Sequence, residues 1–152
     1  MMKTTKLLKL FALSACLLMG STTMQAGSVK PGTFTTGDKT FLLNGQPFVV
    51  KAAEVHYPRI PRPYWEHRIR MCKALGMNAV CIYIFWNIHE QQEGVFDFTG
   101  QNDVAEFCRL AQKNGMYVIV RPGPYVCAEW EMGGLPWWLL KKKDIRLRER
   151  DP

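Results

Sequence analysis

The sequence lacks several features that would each assign it to a familiar class of protein. None of its five cysteines stands at the C-x-x-C spacing that is typical of zinc sites, so we predict no metal. The apolar stretch near the amino terminus, residues 10–19, is far shorter than the roughly 20 residues of a membrane-spanning helix. We therefore predict neither a metal site nor a membrane span.

The net charge of +7 does not indicate a nucleic-acid partner. Three lysines lie within the first ten residues, and residues 141–150 carry six basic against two acidic side chains. The remainder of the chain is neutral. A short basic run of this kind is typical of a solvated surface, so we predict no binding to nucleic acid.

The amino-terminal segment has the layout of a secretory signal peptide. Lys3, Lys6 and Lys9 precede the apolar residues 10–19, and small residues follow as far as Ala26. We predict a signal peptide over residues 1–26 and export to the periplasm or the extracellular space. A minor alternative is lipid anchoring at Cys16, but apolar residues continue beyond that cysteine.

Four cysteines remain beyond the predicted signal peptide. Cys72, Cys81 and Cys108 fall in apolar stretches, and we predict that they are small core residues. Cys127 lies in a loop, where export would allow a disulfide with a cysteine outside this chain. The sequence leaves that pairing open, and it gives no indication of oligomeric state.

The rest of the chain alternates between strand and helix patterns. Residues 27–40 are rich in Gly, Ser and Thr and are predicted to be a flexible lead-in, and Asn44-Gly45 predicts a tight β-hairpin turn. Apolar periodicity with proline and glycine signals then predicts strands over 48–55, 79–85 and 116–120, and helices over 63–76 and 103–115. Asp103 with Glu106 resembles a capping box at the start of the second helix. In the first helix Trp65, Ile69, Cys72 and Leu75 share one face. The alternation predicts an α/β fold with a parallel sheet.

Polar and aromatic side chains follow the carboxyl end of each predicted strand. They are His56 and Tyr57, then Trp86, Asn87, His89 and Glu90, then Glu129 and Trp130. The glycine-rich phosphate loop of a doubly wound sheet is missing after the first strand. Functional side chains at the carboxyl ends of all strands are typical of a (β/α)8 TIM barrel. With three strands of eight, we predict that residues 41–152 are the amino-terminal part of such a barrel, preceded by a short β-hairpin.

The loop after the third strand carries the largest group of candidate functional side chains. Residues 121–138 contain two carboxylates, Glu129 and Glu131, and four aromatic rings among prolines and glycines. Aromatic faces stack on sugar rings and carboxylates accept hydrogen bonds from sugar hydroxyls, so the loop predicts a carbohydrate site. The two glutamates are too close along one loop to face each other across a glycosidic bond.

The same loop, RPGPYVCAEWEMGGLP at 121–136, resembles the hallmark segment of family 35 glycoside hydrolases, the retaining β-galactosidases. Three further segments resemble the family in the same order: VHYPR at 55–59, YIFWNIHE at 83–90 and LRERDP at 147–152. The resemblance implies a (β/α)8 barrel that needs no cofactor. It also implies a galactoside substrate, from which terminal non-reducing β-D-galactose is removed through a covalent galactosyl-enzyme.

The resemblance assigns roles to individual residues. Tyr83 matches a tyrosine that contacts the sugar, and Cys127, Ala128 and Glu129 match the sugar-binding loop, with Glu129 accepting from galactose hydroxyls. It places the acid/base glutamate after the fourth strand and the nucleophile further on, both beyond Pro152. We therefore expect no catalytic glutamate in this chain and no activity from the chain alone.

Other interpretations remain open from the sequence. Glu129 could instead pair with an arginine such as Arg121, and Tyr83 could be an ordinary core tyrosine. His56 and His89 are interpreted as loop anchors, and Glu90 and Glu131 as structural carboxylates bonded to backbone amides or basic neighbours. The chain could also be a non-catalytic galactose-binding remnant, or part of another retaining barrel glycosidase. Phe85 and Trp137 stand where family members often carry proline and a small residue, which leaves the aglycone preference open.

Overall fold

The computed structural model describes residues 32–149. The predicted signal peptide 1–26, with Cys16, lies outside these residues, as does the first part of the predicted lead-in. Within the described range, no helix has both the length and the apolar character that a membrane crossing requires.

The first sheet is antiparallel and contains the predicted hairpin. Its strands are β1 (Phe34–Thr36), β2 (Phe41–Leu43) and β3 (Gln46–Phe48), in that order across the sheet. Asn44 and Gly45 both have positive φ, 53° and 76°, as a two-residue hairpin turn between right-twisted strands requires. The hairpin prediction is confirmed.

Part of the predicted flexible lead-in is regular structure. Strand β1 lies inside residues 27–40 and pairs with β2, so the lead-in prediction is wrong for residues 34–36. The Phe34 ring stacks on the Phe41 ring with 5.2 Å between their centroids. A cross-strand aromatic pair of this kind orders a segment whose own composition indicates flexibility.

The second sheet is parallel and alternates with helices, which confirms the α/β prediction. Its strands, in order across the sheet, are β4 (Ala52–Glu54), β5 (Ala79–Tyr83) and β6 (Tyr117–Arg121). Helix α1 (Trp65–Ala74) connects the first two strands, and a short helix α2 (Trp86–His89) with helix α3 (Val104–Lys113) connects the second two. The short α2 is not predicted from the sequence.

The predicted strand 48–55 is wrong as a single element. Strand β3 ends at Phe48 and β4 begins at Ala52, because the chain passes here from the antiparallel sheet to the parallel one. The connection is held by Asn78, whose Oδ1 accepts from the Lys51 N–H at 2.8 Å and whose Nδ2 donates to the Val49 carbonyl at 2.8 Å.

The helix boundaries follow the expected signals closely. A 3-10 turn over Arg62–Tyr64, containing Pro63, leads into α1, and Gly76 with φ of 85° follows its end. The Asp103 carboxylate caps α3 by accepting from the Glu106 N–H at 2.9 Å. Only this half of the predicted capping box forms, because the Glu106 carboxylate accepts instead from Arg109 at 2.8 Å.

The main core lies between the two longer helices and one face of the parallel sheet. Its buried members are Val55, Tyr57, Trp65, Ile69, Val80, Ile82, Phe107, Ala111 and Met116. Cys72 and Cys108 pack against this core as free thiols, and Cys81 is partly buried and also free. Burial raises the pKa of all three thiols. Leu75 is exposed, contrary to prediction, because it lies one residue beyond the end of α1.

A buried hydrogen bond connects the ends of β4 and β5. The Tyr57 hydroxyl and His89 Nε2 are 2.5 Å apart, and His89 Nδ1 lies 2.8 Å from the Asp97 carbonyl. A carbonyl only accepts, so Nδ1 carries the proton and Nε2 accepts from the hydroxyl. Burial raises the pKa of Tyr57 and lowers that of His89, which keeps both groups neutral. His89 is thus a loop anchor, as predicted.

We predict that Tyr57→Phe destabilises the protein by about 1–3 kcal/mol, because it leaves a buried imidazole nitrogen without a donor while the ring packing is kept. The measurement is the denaturant midpoint of unfolding. The matched control is Tyr64→Phe, since Tyr64 is exposed. Equal midpoints for the two variants would contradict the assignment.

Candidate functional site

Three polar side chains meet where the parallel strands end. The strand register sets Tyr83 beside Arg121 and Glu54 beside Cys81, so Glu54, Tyr83 and Arg121 project from the same face of the sheet. Tyr83 Oη donates to Glu54 Oε2 at 3.3 Å and accepts a short hydrogen bond from Arg121 Nη1. Arg121 Nη1 is also 3.6 Å from Glu54 Oε2.

The Tyr83 hydroxyl is held neutral and oriented. Burial, and then the nearby Glu54 charge, raise the pKa of Tyr83 above its ordinary value. Its single proton is committed to Glu54 and one lone pair to Arg121. A phenolic oxygen has two lone pairs, so one remains to accept from a ligand hydroxyl.

The segment Cys127 to Glu129 has an unusual backbone. These three consecutive residues all lie in the left-handed region, with φ of 62°, 55° and 46°. Residues other than glycine seldom adopt this conformation, and three in succession require support from their surroundings. Cys127 is exposed and free, Ala128 is buried, and Glu129 is exposed.

Arg59 supplies much of this support. Its Nη2 donates to the Glu129 carbonyl at 2.6 Å and lies 3.4 Å from the Ala128 carbonyl. Its guanidinium carbon lies 4.7 Å from the centre of the Trp130 ring. A planar guanidinium can donate from its edge and stack through its face at once, which a lysine cannot do.

His56 connects Arg59 to the polar cluster at the strand ends. Arg59 Nη1 is 3.2 Å from His56 Nδ1, and His56 Nε2 is 2.9 Å from Glu54 Oε1. Because a guanidinium only donates, Nδ1 accepts and the proton lies on Nε2, which donates to Glu54. One chain of hydrogen bonds thus runs from Glu54 through His56 and Arg59 to the Glu129 carbonyl.

Trp130 fixes the loop on its other side. Its ring packs on Phe85 with centroids 4.1 Å apart, and its Nε1 donates to Asn87 Oδ1 at 3.0 Å. Asn87 Nδ2 also lies 3.5 Å from the Glu131 carbonyl. Asn87 therefore ties the segment after β5 to the loop after β6.

The glycines at the far end of the loop are required by close packing. A Cβ at Gly133 would lie 2.0 Å from the Tyr125 ring, and Gly133 has φ of 62°. A Cβ at Gly134 would lie 2.8 Å from the Val126 side chain. The Val126 N–H donates to the Gly133 carbonyl at 2.8 Å, so the loop closes on itself.

The structural role predicted for Glu131 is wrong, because its carboxylate has no hydrogen-bond or ion-pair partner within residues 32–149. The same prediction is confirmed for Glu90. It is buried and accepts a short hydrogen bond from Trp86 Nε1 and a second from the Gly94 N–H at 2.6 Å. Its carbonyl accepts from Trp138 Nε1 at 2.9 Å. These bonds use the carboxylate to hold the chain between β5 and α3.

Residues 40–152 match the sequence model of glycosyl hydrolases family 35. The chain belongs to this family. It is similar to the β-galactosidase of Xanthomonas manihotis, at 51% identity over 120 residues, which is 79% of this chain and 20% of that protein. It is 46% identical over 144 residues to the β-galactosidase of Canis lupus familiaris, covering 94% of this chain and 22% of that protein. It is 51% identical over 113 residues to the β-galactosidase of Homo sapiens, covering 74% of this chain and 17% of that protein.

The chain spans about a fifth of the length of the curated relatives it matches. The match to the family covers β2 and everything after it that the structure describes. It therefore includes all three parallel strands and the loop that follows β6.

Two of the four residues that the family resemblance assigns to the sugar, Tyr83 and Ala128, belong to one buried cluster, and Cys127 and Glu129 flank Ala128 along the chain. Tyr83 is at the end of β5, and Cys127, Ala128 and Glu129 form the left-handed segment after β6. The alternative partner for Glu129 is wrong, because Arg121 pairs with Glu54. Within residues 32–149 the Glu129 carboxylate has no hydrogen-bond or ion-pair partner, and no three potential metal ligands converge.

Glu54, Arg59 and Arg121 are site residues that the sequence interpretation missed. Arg59 contacts carbonyls 69 and 70 positions away, so no local pattern predicts the pairing. The sequence did indicate that both partners matter, since Arg59 and Glu129 each lie in a segment that resembles the family, but it did not indicate that they contact each other. His56, interpreted as a loop anchor, has that role through Glu54 and Arg59.

We predict that Arg59→Lys speeds hydrogen exchange in the loop after β6, at amides such as the Trp130 N–H, which donates to the Cys127 carbonyl at 3.0 Å. The reason is that segment 127–129 loses its bidentate support and shifts. Hydrogen exchange followed by mass spectrometry gives the measurement. Arg70→Lys is the control, because Arg70 is an exposed residue of α1. Unchanged exchange in Arg59→Lys would show that the loop does not depend on the guanidinium.

Proposed function

We propose that this chain carries the galactose-binding β/α units of a retaining β-galactosidase. The enzyme hydrolyses terminal non-reducing β-D-galactose from oligo- or polysaccharides by double displacement. One observation supports the proposal: in a chain of family 35, an exposed Glu129 carboxylate with no partner among residues 32–149 lies on a loop whose backbone is held by other residues. The relatives that it resembles are β-galactosidases.

The loop is suited to recognise a sugar because its backbone is already fixed. Arg59 and Trp130 hold the segment on either side, so little conformational entropy is lost when a ligand binds. The Glu129 carboxylate can accept from two neighbouring hydroxyls, and the free lone pair of Tyr83 can accept from a third. Hydrogen bonds to a charged acceptor discriminate strongly between sugars whose hydroxyls point in different directions.

The carboxylates near the site do not form a catalytic pair. Retaining glycosidases need two carboxyl groups about 5–5.5 Å apart on opposite sides of the scissile bond. Glu54 is engaged by His56, Tyr83 and Arg121, and Glu90 is buried among its own partners. Glu129 and Glu131 lie on one loop. We infer that the acid/base and the nucleophile come from strands beyond Pro152.

The three parallel strands are, in this proposal, the first strands of a (β/α)8 barrel. Helices cover one face of the sheet, and the other face carries the cluster of Glu54, Tyr83 and Arg121. A barrel interior that is polar at the carboxyl ends of its strands fits this division. Ile119 and Val120 on β6 are exposed, as expected of a strand that receives another strand and helix. The antiparallel sheet contacts the amino end of β6, through Phe48 against Tyr117.

We further propose that the enzyme acts after export. The lysines and apolar residues of segment 1–26 support a signal peptide that directs it to the periplasm or the extracellular space.

In the complete enzyme, Glu129→Gln is expected to reduce kcat/KM for 4-nitrophenyl β-galactoside about tenfold to a hundredfold. This corresponds to the roughly 1.5–3 kcal/mol of a hydrogen bond to a charged group. Glu93→Gln, an exposed glutamate paired with Lys142, is the control. Thermal midpoints should be the same for both variants. Full activity of Glu129→Gln would remove the residue from the sugar site.

The segment 27–152, prepared alone, is expected to release no galactose from the same chromogenic substrate, because the proposed catalytic carboxylates lie outside it. The complete enzyme, assayed in parallel, is the positive control. Turnover by the purified segment would show that two of its own carboxylates form the catalytic pair.

A further inference from the structure

An open cleft of about 600 Å³ adjoins the proposed galactose loop, and none of the proposed contacts to galactose lies in it. Its walls include two tryptophans, Trp130 and Trp137, together with Asn87, Gln91, Glu131 and Arg59. Tyr83 and Glu129 are not part of its lining. The cleft is therefore a separate space from the cluster at the strand ends.

The cleft and the galactose loop share their walls. Trp130 and Glu131 directly follow Glu129 along the chain, and Arg59 binds the Glu129 carbonyl at 2.6 Å. The cleft therefore begins next to the loop that carries Glu129. The continuity favours an occupant that is part of the same substrate.

The two tryptophan rings are held in place rather than loosely packed. Trp130 is fixed by the Phe85 ring and by Asn87. Trp137 is 51% exposed, yet its Nε1 donates to the Gln91 carbonyl at 3.0 Å, and Lys141 Nζ lies 4.3 Å from its ring centre. Rigid aromatic walls that keep exposed area bind flat, partly apolar groups at little cost in entropy.

The polar groups of the cleft select a neutral, hydroxyl-rich ligand. Within residues 32–149 the side-chain amide of Gln91 and the Glu131 carboxylate have no hydrogen-bond partner, so both can bind hydroxyls. The two nearby cations already have contacts, Arg59 with His56 and the loop carbonyls and Lys141 with the Trp137 ring. The Glu131 carboxylate repels anions, so hydroxyl groups are favoured over a phosphate or a carboxylate.

We infer that this cleft is a second carbohydrate subsite, which binds a neutral sugar unit of the substrate beyond the terminal galactose. The inference rests on the proposed β-galactosidase function. Trp137 is its main stacking surface, while Gln91 and Glu131 bind hydroxyls. Trp137 thereby acts as a specificity-determining residue that favours oligosaccharides over galactosides with a small leaving group.

The test uses the complete enzyme with Trp137→Ala and compares two kinds of substrate. These are β-galactosyl fluoride, whose leaving group is a single atom that cannot stack on a tryptophan, and a galacto-trisaccharide, chosen from β-1,3-, β-1,4- and β-1,6-linked forms as the one that the wild type hydrolyses fastest. We expect kcat/KM for the trisaccharide to fall about three- to tenfold, the effect of one lost stacking contact, with hydrolysis of the fluoride unchanged. Trp137→Phe should restore most of the loss.

Two controls separate this effect from misfolding. Lys143→Ala changes an exposed residue outside the cleft lining and should leave both substrates unaffected. Thermal midpoints identify any variant that loses stability. An equal loss on both substrates would overturn the subsite, as would no loss on either.

A direct binding measurement keeps the subsite testable if the proposed function fails. Should the complete wild-type enzyme hydrolyse neither substrate, the galactosidase proposal is wrong, and tryptophan fluorescence is then titrated with the same trisaccharides. Binding that Trp137→Ala weakens would support a carbohydrate cleft without catalysis. The absence of binding to the wild type, or unchanged binding to Trp137→Ala, would overturn it.

Discussion

The parallel pairing of β4, β5 and β6 is the constraint on which the candidate site depends. Parallel strands end at one edge of the sheet, so residues nearly thirty and forty positions apart in sequence become neighbours. The register then decides which side chains share a face, and it brings Glu54, Tyr83 and Arg121 together. A shift of one residue in either strand pairing would turn one of these three side chains toward the helices and separate it from the other two.

The site is built as a supported loop rather than as a collection of independent ligands. Glu54 orients His56, His56 orients Arg59, and Arg59 holds the carbonyls of a left-handed segment that presents Glu129. The side chains of Glu54, His56 and Arg59 all have partners in this series of hydrogen bonds, whereas the Glu129 carboxylate has none among the residues described. Backbone strain next to an unpartnered carboxylate is a common arrangement at binding sites, where the surrounding structure maintains both.

Local signals in the sequence predicted most helices, strands and turns. Features that depend on contacts between distant residues could not be predicted in this way. The turn at Asn44-Gly45 and the cap at Asp103 depend on neighbouring residues, so their patterns were sufficient. The predictions of a buried Leu75 and of a single strand over 48–55 were wrong. Tertiary structure determines where α1 ends and where the chain passes from one sheet to the other. The role of Arg59 could not be predicted, since it depends on the sheet register and on a conformation that alanine and glutamate seldom adopt.

A crystal structure of the complete enzyme with bound galactose tests the central claim most directly. The account predicts that the Glu129 carboxylate accepts from galactose hydroxyls at about 2.6–3.2 Å and that the Tyr83 hydroxyl accepts from the same sugar. It also predicts that the bond from Arg59 to the Glu129 carbonyl is retained. Galactose bound at another place, with Glu129 in contact only with protein or solvent, would contradict the account.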